Sequence, residues 1–264
     1  MKFCRFLLNG KPEFGWTESV AGHEAVTGIT TAPLHGPASW IERISPIRLE
    51  EAGLLTPVEP SKIVCIGRNY REHAAELGNE VPKEPLIFLK PPSSLLGPAG
   101  AIVLPAISNR VDHEGELGVV VGKTCRNIKP DEDVRPYILG YTCVNDVTAR
   151  DLQKKDVQFT RGKGFDTFCP VGPIVTDEID PWSGVGVQTR VNGELRQDGN
   201  TRDFIFPLDA IIRFIAQVMT LLPGDLIATG TPSGVGPLHT GDVVSVTISD
   251  IGSLENHVIK RAEC

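Results

Sequence analysis

Nothing along these 264 residues offers a polyanion a landing surface. Lys and Arg number 26 against 33 Asp and Glu, the formal charge is −7 and the pI is near 5.4, and no basic block interrupts the chain. Nucleic acid and anionic membrane surfaces are therefore not expected partners. No CxxC pair and no short metal-finger spacing occurs among the six cysteines, which stand singly at positions 4, 65, 125, 143, 169 and 264. That scatter suits reduced, buried or idle thiols better than a disulfide framework. No apolar run approaches the roughly 20 residues of a membrane helix. The opening MKFCRFLLNGKPEFG lacks a long h-region and a small-residue cleavage site, so a cytoplasmic protein is expected. There is no repeat at a fixed period and no low-complexity tract.

What is present is the composition of a globular protein, 41% hydrophobic and 22% charged, enough for one large domain or one large and one small. Residues 1–57 alternate short apolar runs with turns and end in EEAGLLTPVEPSK, whose prolines suggest a boundary. A small N-terminal subdomain over 1–57 and a catalytic domain over 58–264 are expected. Beyond that point come many short β-branched runs, among them KIVCIG, LIFLK, AIVLP, LGVVVG, ILGYTCVND, GPIVT and DVVSVTI. Only NYREHAAELG, with its Gly stop, and PLDAIIRFIAQVMTLLPG read as helix. Short strands between Gly, Pro and Asp turns predict a mainly β roll or barrel with few helices. PGDLIATG and TGDVVSVTI, each a Gly-Asp turn feeding a strand, read as antiparallel neighbours.

The stretch VDHEGELGVVVG holds the chemistry. In a strand, residues i and i+2 share a face, so Glu114 and Glu116 stand side by side just as the chain heads into the core. Unpaired carboxylates are costly there, and a cation would resolve the conflict. A bare E-x-E more often sits on a solvated edge; the third acid, Asp146 at the end of GYTCVND, shifts the balance. Three carboxylates and no associated cysteine make an all-oxygen site that favours Mg²⁺, Mn²⁺ or Ca²⁺ over Zn²⁺. His113 is a possible fourth ligand, though a supporting or idle role fits it better.

On a helix His73 and Glu76 share a face, so the carboxylate can orient the imidazole as a general base. Arg68, Arg150 and Lys163 are candidates to bind an anionic substrate. ATGTPSGVG lacks the phosphate-loop pattern and opens no helix; a turn bringing backbone amides and the Thr231 hydroxyl towards an oxyanion is expected instead.

Taken in order, KIVCIGRNYREHAAELG, PLIFLKPPSSLLGP, VDHEGELGVVVG, GYTCVNDVTARDLQ, RGKGFDTFCPVGP, VNGELRQDGNTRDFIF and LLPGDLIATGTPSGVG resemble the fumarylacetoacetate hydrolase family over nearly all of residues 60–250. The resemblance implies a mixed β-roll fold, a Mg²⁺ or Mn²⁺ ion (Ca²⁺ as a structural substitute) on Glu114, Glu116 and Asp146, and a homodimer. It implies a catalytic His73 and Glu76 pair, a catalytic Lys163, and Arg150 and Gln153 near the ligand. Gly164 replaces the common serine after the lysine. Ile66 stands where fumarylacetoacetase proper has a further metal-binding aspartate, and the long N-terminal domain is lacking, so the chain resembles the smaller branch.

That branch implies a small anionic 2-oxo or 2,4-dioxo acid as substrate. Hydrolysis of acylpyruvates to pyruvate and a carboxylic acid ranks first. Oxaloacetate decarboxylation or tautomerisation and 2-hydroxyhepta-2,4-diene-1,7-dioate isomerisation or decarboxylation come second, and a non-catalytic metabolite binder is the contrasting alternative. Retention of His73, Glu76 and Lys163 argues against the binder.

Overall fold

The β-branched runs become strands, and three sheets collect them. The structure, a computed structural model, describes residues 1–35 and 39–260; Cys264 lies outside them. The main path of a 12-stranded sheet runs Trp40–Arg48, His23–Thr30, Lys11–Val20, Lys2–Leu8, Cys169–Thr176, Ile138–Asn145, Gly115–Val121, Leu226–Ala228, Ile63–Gly67 and Leu86–Lys90. A five-stranded sheet orders Glu194–Asn200, Gly186–Val191, Val243–Ile248, Gly252–Lys260 and Ala101–Leu104, and a small ribbon sets Val111–His113 between Thr148–Ala149 and Gly236–Pro237. Most pairings are antiparallel, but Leu226–Ala228 runs parallel to Ile63–Gly67, so the large sheet is mixed. Lys2–Leu8 pairs with Cys169–Thr176, so the N-terminal strands extend the large sheet.

LIATG and VVSVTI are not neighbours, contrary to expectation. Leu226–Ala228 is too short and too buried to be an edge, and it lies between two strands of the large sheet, whereas Val243–Ile248 belongs to the five-stranded one. Four α-helices occur among the described residues: α1 Arg71–Glu76, α2 Arg150–Lys155, α3 Thr160–Lys163 and α4 Leu208–Val218. The first and last were expected. In α4 Leu208, Ile211, Ile212, Ile215 and Ala216 form the buried stripe, the i, i+3, i+4, i+7 spacing of an amphipathic helix. The helix stops short of the Pro-Gly pair because Leu221 bridges to Cys125 as extended chain. None of the four helices is long and apolar enough to cross a membrane.

Alternation along the strands splits the core in two. Val64, Ile66, Leu117, Val119 and Val121 pack with α4 and with Val187, Val246 and Ile248 of the five-stranded sheet. Their strand neighbours Ile63, Cys65 and Val120 pack with Phe3, Val171 and Val175 on the other face. Truncating a fully buried side chain such as Leu117 to Ala costs about 2–5 kcal/mol. The glycine between the two glutamates follows from this layering. A Cβ on Gly115 would stand 2.0 Å from Thr189 Oγ1 of the facing sheet, so only glycine lets the carboxylate-bearing chain come so close.

Candidate active site

Glu114 lies where the chain leaves the ribbon strand Val111–His113 and enters Gly115–Val121. The uninterrupted strand expected from the sequence is thus broken at this residue. Asn145 explains the break: its Oδ1 accepts from Glu114 N at 3.0 Å, taking the place of a ladder bond. Asp146 N in turn donates to Glu114 O at 2.8 Å, which holds the end of the neighbouring strand against the kink. As a result Glu114, Glu116 and Asp146, all buried, each bring a carboxylate oxygen within 4.8 Å of the others.

The positive charge around them is unevenly shared. Lys163 Nζ donates to Glu114 Oε2 at 2.7 Å and Asp146 Oδ2 at 2.5 Å, Lys90 Nζ donates to Asp146 Oδ1 at 2.5 Å, and Arg150 Nη2 donates to Glu114 Oε1. Among the described residues Glu116 receives only the Gly230 N–H, at 2.7 Å. The two glutamates therefore titrate in opposite directions. Burial pushes Glu114 up, but Lys163, Arg150 and His73 outweigh it and hold its carboxyl well below the usual range. Burial pushes Glu116 up and the Asp146 and Glu114 charges push it further, against weaker opposition from Lys163 and Gly230. A buried carboxylate beside two others and lacking a cationic partner of its own is what a divalent cation would satisfy. The oxygen-only donor set suits Mg²⁺ or Mn²⁺. The trio fits such an ion.

His73 faces the same space from α1. A cavity of about 190 Å³ is lined by His73, the three carboxylates, Lys163, Arg68, Arg150, Gln153 and Thr231, so of the site residues read from the sequence Glu76 and His113 alone do not border it. Ile66, Leu77, Leu86, Phe88 and Phe159 give it an apolar wall. Burial, reinforced by Arg150 and Lys163 and opposed by Glu114 and Glu76, holds His73 below the ordinary histidine value, so the imidazole is neutral at pH 7. Its Nδ1 lies 3.6 Å from Glu76 Oε2, beyond hydrogen-bond reach, and has no partner among the described residues. Glu76 instead accepts from Gly234 N at 3.1 and 3.2 Å, and Glu72 accepts from Ser233 Oγ at 3.2 Å, which docks α1 on the glycine-rich loop.

Residues 62–259 match the fumarylacetoacetate (FAA) hydrolase C-terminal family. The chain belongs to this family. An uncharacterized protein of Archaeoglobus fulgidus is 52% identical over 223 residues, 83% of this chain and 88% of its own. Oxaloacetate tautomerase YisK of Bacillus subtilis is 46% identical over 225 residues, 80% of this chain and 74% of its own. The crystal structure of 2-hydroxyhepta-2,4-diene-1,7-dioate isomerase from Mycobacterium marinum superposes with a TM-score of 0.87 at 40% identity, covering 100% of both chains. The chain is thus a fumarylacetoacetate hydrolase family enzyme with isomerase and tautomerase relatives.

In this family member the glycine-rich loop serves the protein's own carboxylate. The Gly230 amide goes to Glu116, and Thr231 Oγ1 donates to Gly115 O at 2.9 Å while accepting from Gln197 Nε2 at 2.7 Å. The turn therefore braces the carboxylate strand, with the Gly230 amide and the Thr231 hydroxyl committed within the protein while Thr231 borders the cavity. His113 Nδ1 turns to Gln197 Oε1 at 3.2 Å and the ring stays outside the trio, a supporting place. Three residues escaped the sequence reading. Lys90 ends the apolar run LIFLK yet is buried, the same anomaly that marked Glu116. Asp112 precedes Glu114 by the i, i+2 spacing used for the glutamates. Gln197, fully buried, also accepts from Gly115 N at 2.9 Å, and nothing local in its sequence signals that.

Proposed function

We propose that this chain interconverts the keto and enol forms of a short 2-oxo diacid of the oxaloacetate kind, with a divalent cation on Glu114, Glu116 and Asp146. The observation that carries the reading is a buried, neutral imidazole without a carboxylate partner in the same cavity as the trio and Lys163. Proton transfer at carbon needs one base of this kind. Water activation is better served by a base held by a carboxylate, and Glu76 is bonded elsewhere.

Arg68 and the free Nε2 of Gln153 receive the carboxylates of the acid. His73 removes a proton from C3, the C–H electron pair becomes the C2–C3 double bond, and the former keto oxygen takes a proton from the Lys163 ammonium; the reverse steps regenerate the ketone. A bound cation supplies Lewis-acid stabilisation of the charge that develops on that oxygen. The names of the Bacillus and Mycobacterium relatives, both of which denote isomerisations, support this reading over hydrolysis.

Acylpyruvate hydrolysis is the second reading, favoured by the i, i+3 placement of His73 and Glu76 at 3.6 Å. There, water adds to the distal carbonyl, the C3–C4 bond breaks, and pyruvate and a carboxylic acid form. The deciding experiment follows loss of enol absorbance from fresh oxaloacetate, with pyruvate release from acetylpyruvate in parallel, in Mn²⁺ and after chelation. Chelator-sensitive enol loss without pyruvate is expected. Efficient pyruvate release from acetylpyruvate would transfer the assignment to hydrolase, and pyruvate with carbon dioxide from oxaloacetate would make it a decarboxylase.

A further inference from the structure

Arg150 was expected to bind substrate, yet every arm of its guanidinium is taken. Nε donates to Asp112 Oδ2 at 2.9 Å, Nη1 donates to Gln153 Oε1 at 2.7 Å, and Nη2 donates to Glu114 Oε1. A guanidinium is planar and rigid, so fixing the direction of Nε fixes both Nη groups. Asp112 is the group that does so. Its side chain is fully buried, on the middle strand of the ribbon opposite Thr148, and Arg150 follows directly after the neighbouring strand Thr148–Ala149. Arg150 N also donates to Arg110 O at 2.8 Å, so the two residues are joined through backbone as well. The second partner of Asp112, Arg110, is half exposed, and an ion pair of that kind orders little by itself.

We propose that Asp112 is a positioning residue of the site: it holds the Arg150 fork in the orientation that ties Glu114 and Gln153 together. Glu114 is thereby kept with Oε1 on Arg150 and Oε2 towards the other carboxylates. Gln153 is kept with its oxygen on Arg150 at the border of the cavity it lines. Without the Asp112 anchor the fork is free to close on Glu114 with both arms, taking the second carboxylate oxygen away from the cation. The inference rests on the proposed function only in taking Glu114 as a cation ligand.

Calorimetric titration of Mn²⁺ into the full chain tests it, with Asp112→Asn, Asp112→Glu, Arg150→Met and the two double variants. Each Asp112 substitution is expected to weaken Mn²⁺ binding about 10- to 100-fold, the scale on which outer partners of metal ligands act. In the Arg150→Met background the same substitutions should change it by less than about twofold, because the residue they act through is gone. Equal loss in both backgrounds would show Asp112 acting by its charge alone and overturn the proposal. So would an Asp112→Glu protein with unchanged affinity, or a wild type that does not take up Mn²⁺. Asp112→Glu keeps the buried charge and serves as the reading variant where Asp112→Asn fails to fold. A wild type that binds Mn²⁺ but does not accelerate enol loss would sink the tautomerase reading and leave this inference standing.

Discussion

The two walls of the cavity are built on opposite principles. On the carboxylate wall Glu114, Asp146, Lys163 and Arg150 are buried and, with Lys90 and Asp112 behind them, are cross-linked by charge-assisted hydrogen bonds that hold the short α2 and α3 to the strand ends. On the imidazole wall His73 rides on the six-residue α1, which Glu72 and Glu76 tie to the opposite loop, and its own Nδ1 is unbonded among the described residues. A helix that short has little stability of its own. The difference separates two tasks. Charge must be met by groups that do not reorganise during reaction, which rigid burial provides. The proton carrier must reach a substrate that has to enter and leave, which a lightly held element permits.

Breaking the first wall should have the largest effect. Glu116→Gln is expected to remove detectable turnover and to weaken Mn²⁺ by about 100-fold or more, since a ligand should matter more than its outer partners. The same variant should melt no lower than wild type in chelator, because it removes a buried carboxylate that its neighbours repel. Loss of cation binding without loss of metal-free stability, read by calorimetry and thermal melts, would mark this wall as built for function. Next comes His73→Ala, expected to leave Mn²⁺ affinity within about twofold while enol loss slows about 100-fold or more, the range for a general base. Unchanged turnover would move the base elsewhere.

The walls also differed in how legible they were. Glu114, Glu116 and Asp146 were found because a charge entering an apolar run contradicts its surroundings, a contradiction visible within a few residues. α4 was found by its 3.6-residue stripe. The helices α2 and α3 were missed because six and four residues hold no period to detect, and their shape comes from packing beside the ribbon. Gln197 was beyond reach for another reason: its partners Gly115 and Thr231 lie far off in the chain and meet only when the five-stranded sheet closes over the kink. Lys90 and Asp112 were within reach, since the rule that exposed Glu116 applies equally to a lysine closing LIFLK and to an acid two residues before Glu114.

Acidity sharpens the comparison from the imidazole side. Burial disfavours the His73 imidazolium, so the base form persists below the ordinary histidine value of 6.5. Activity should then be level through neutrality and fall only as pH drops through that lowered value. Between 6.5 and that lowered value the unfolded chain binds a proton the folded one refuses, so folding stability falls as pH drops across this interval while activity is still level, and His73→Ala should flatten that slope. A kcat/KM profile with its acid limb at or above pH 7 would contradict this.

The smallest expected effect is the most discriminating. If Glu76 chiefly holds α1 to the Gly234 amide, Glu76→Gln retains an oxygen to accept that bond and should lower turnover by only about threefold, from loss of one charge-assisted contact. If Glu76 instead swings to His73 during catalysis, the amide cannot stabilise an imidazolium, and the loss should approach that of His73→Ala. Parallel kcat measurements on the two variants with oxaloacetate and acetylpyruvate separate these cases. A mild Glu76→Gln effect with oxaloacetate, beside a severe one with acetylpyruvate, would mean that the lightly held wall has two working positions. One would serve proton transfer at carbon and the other attack by water.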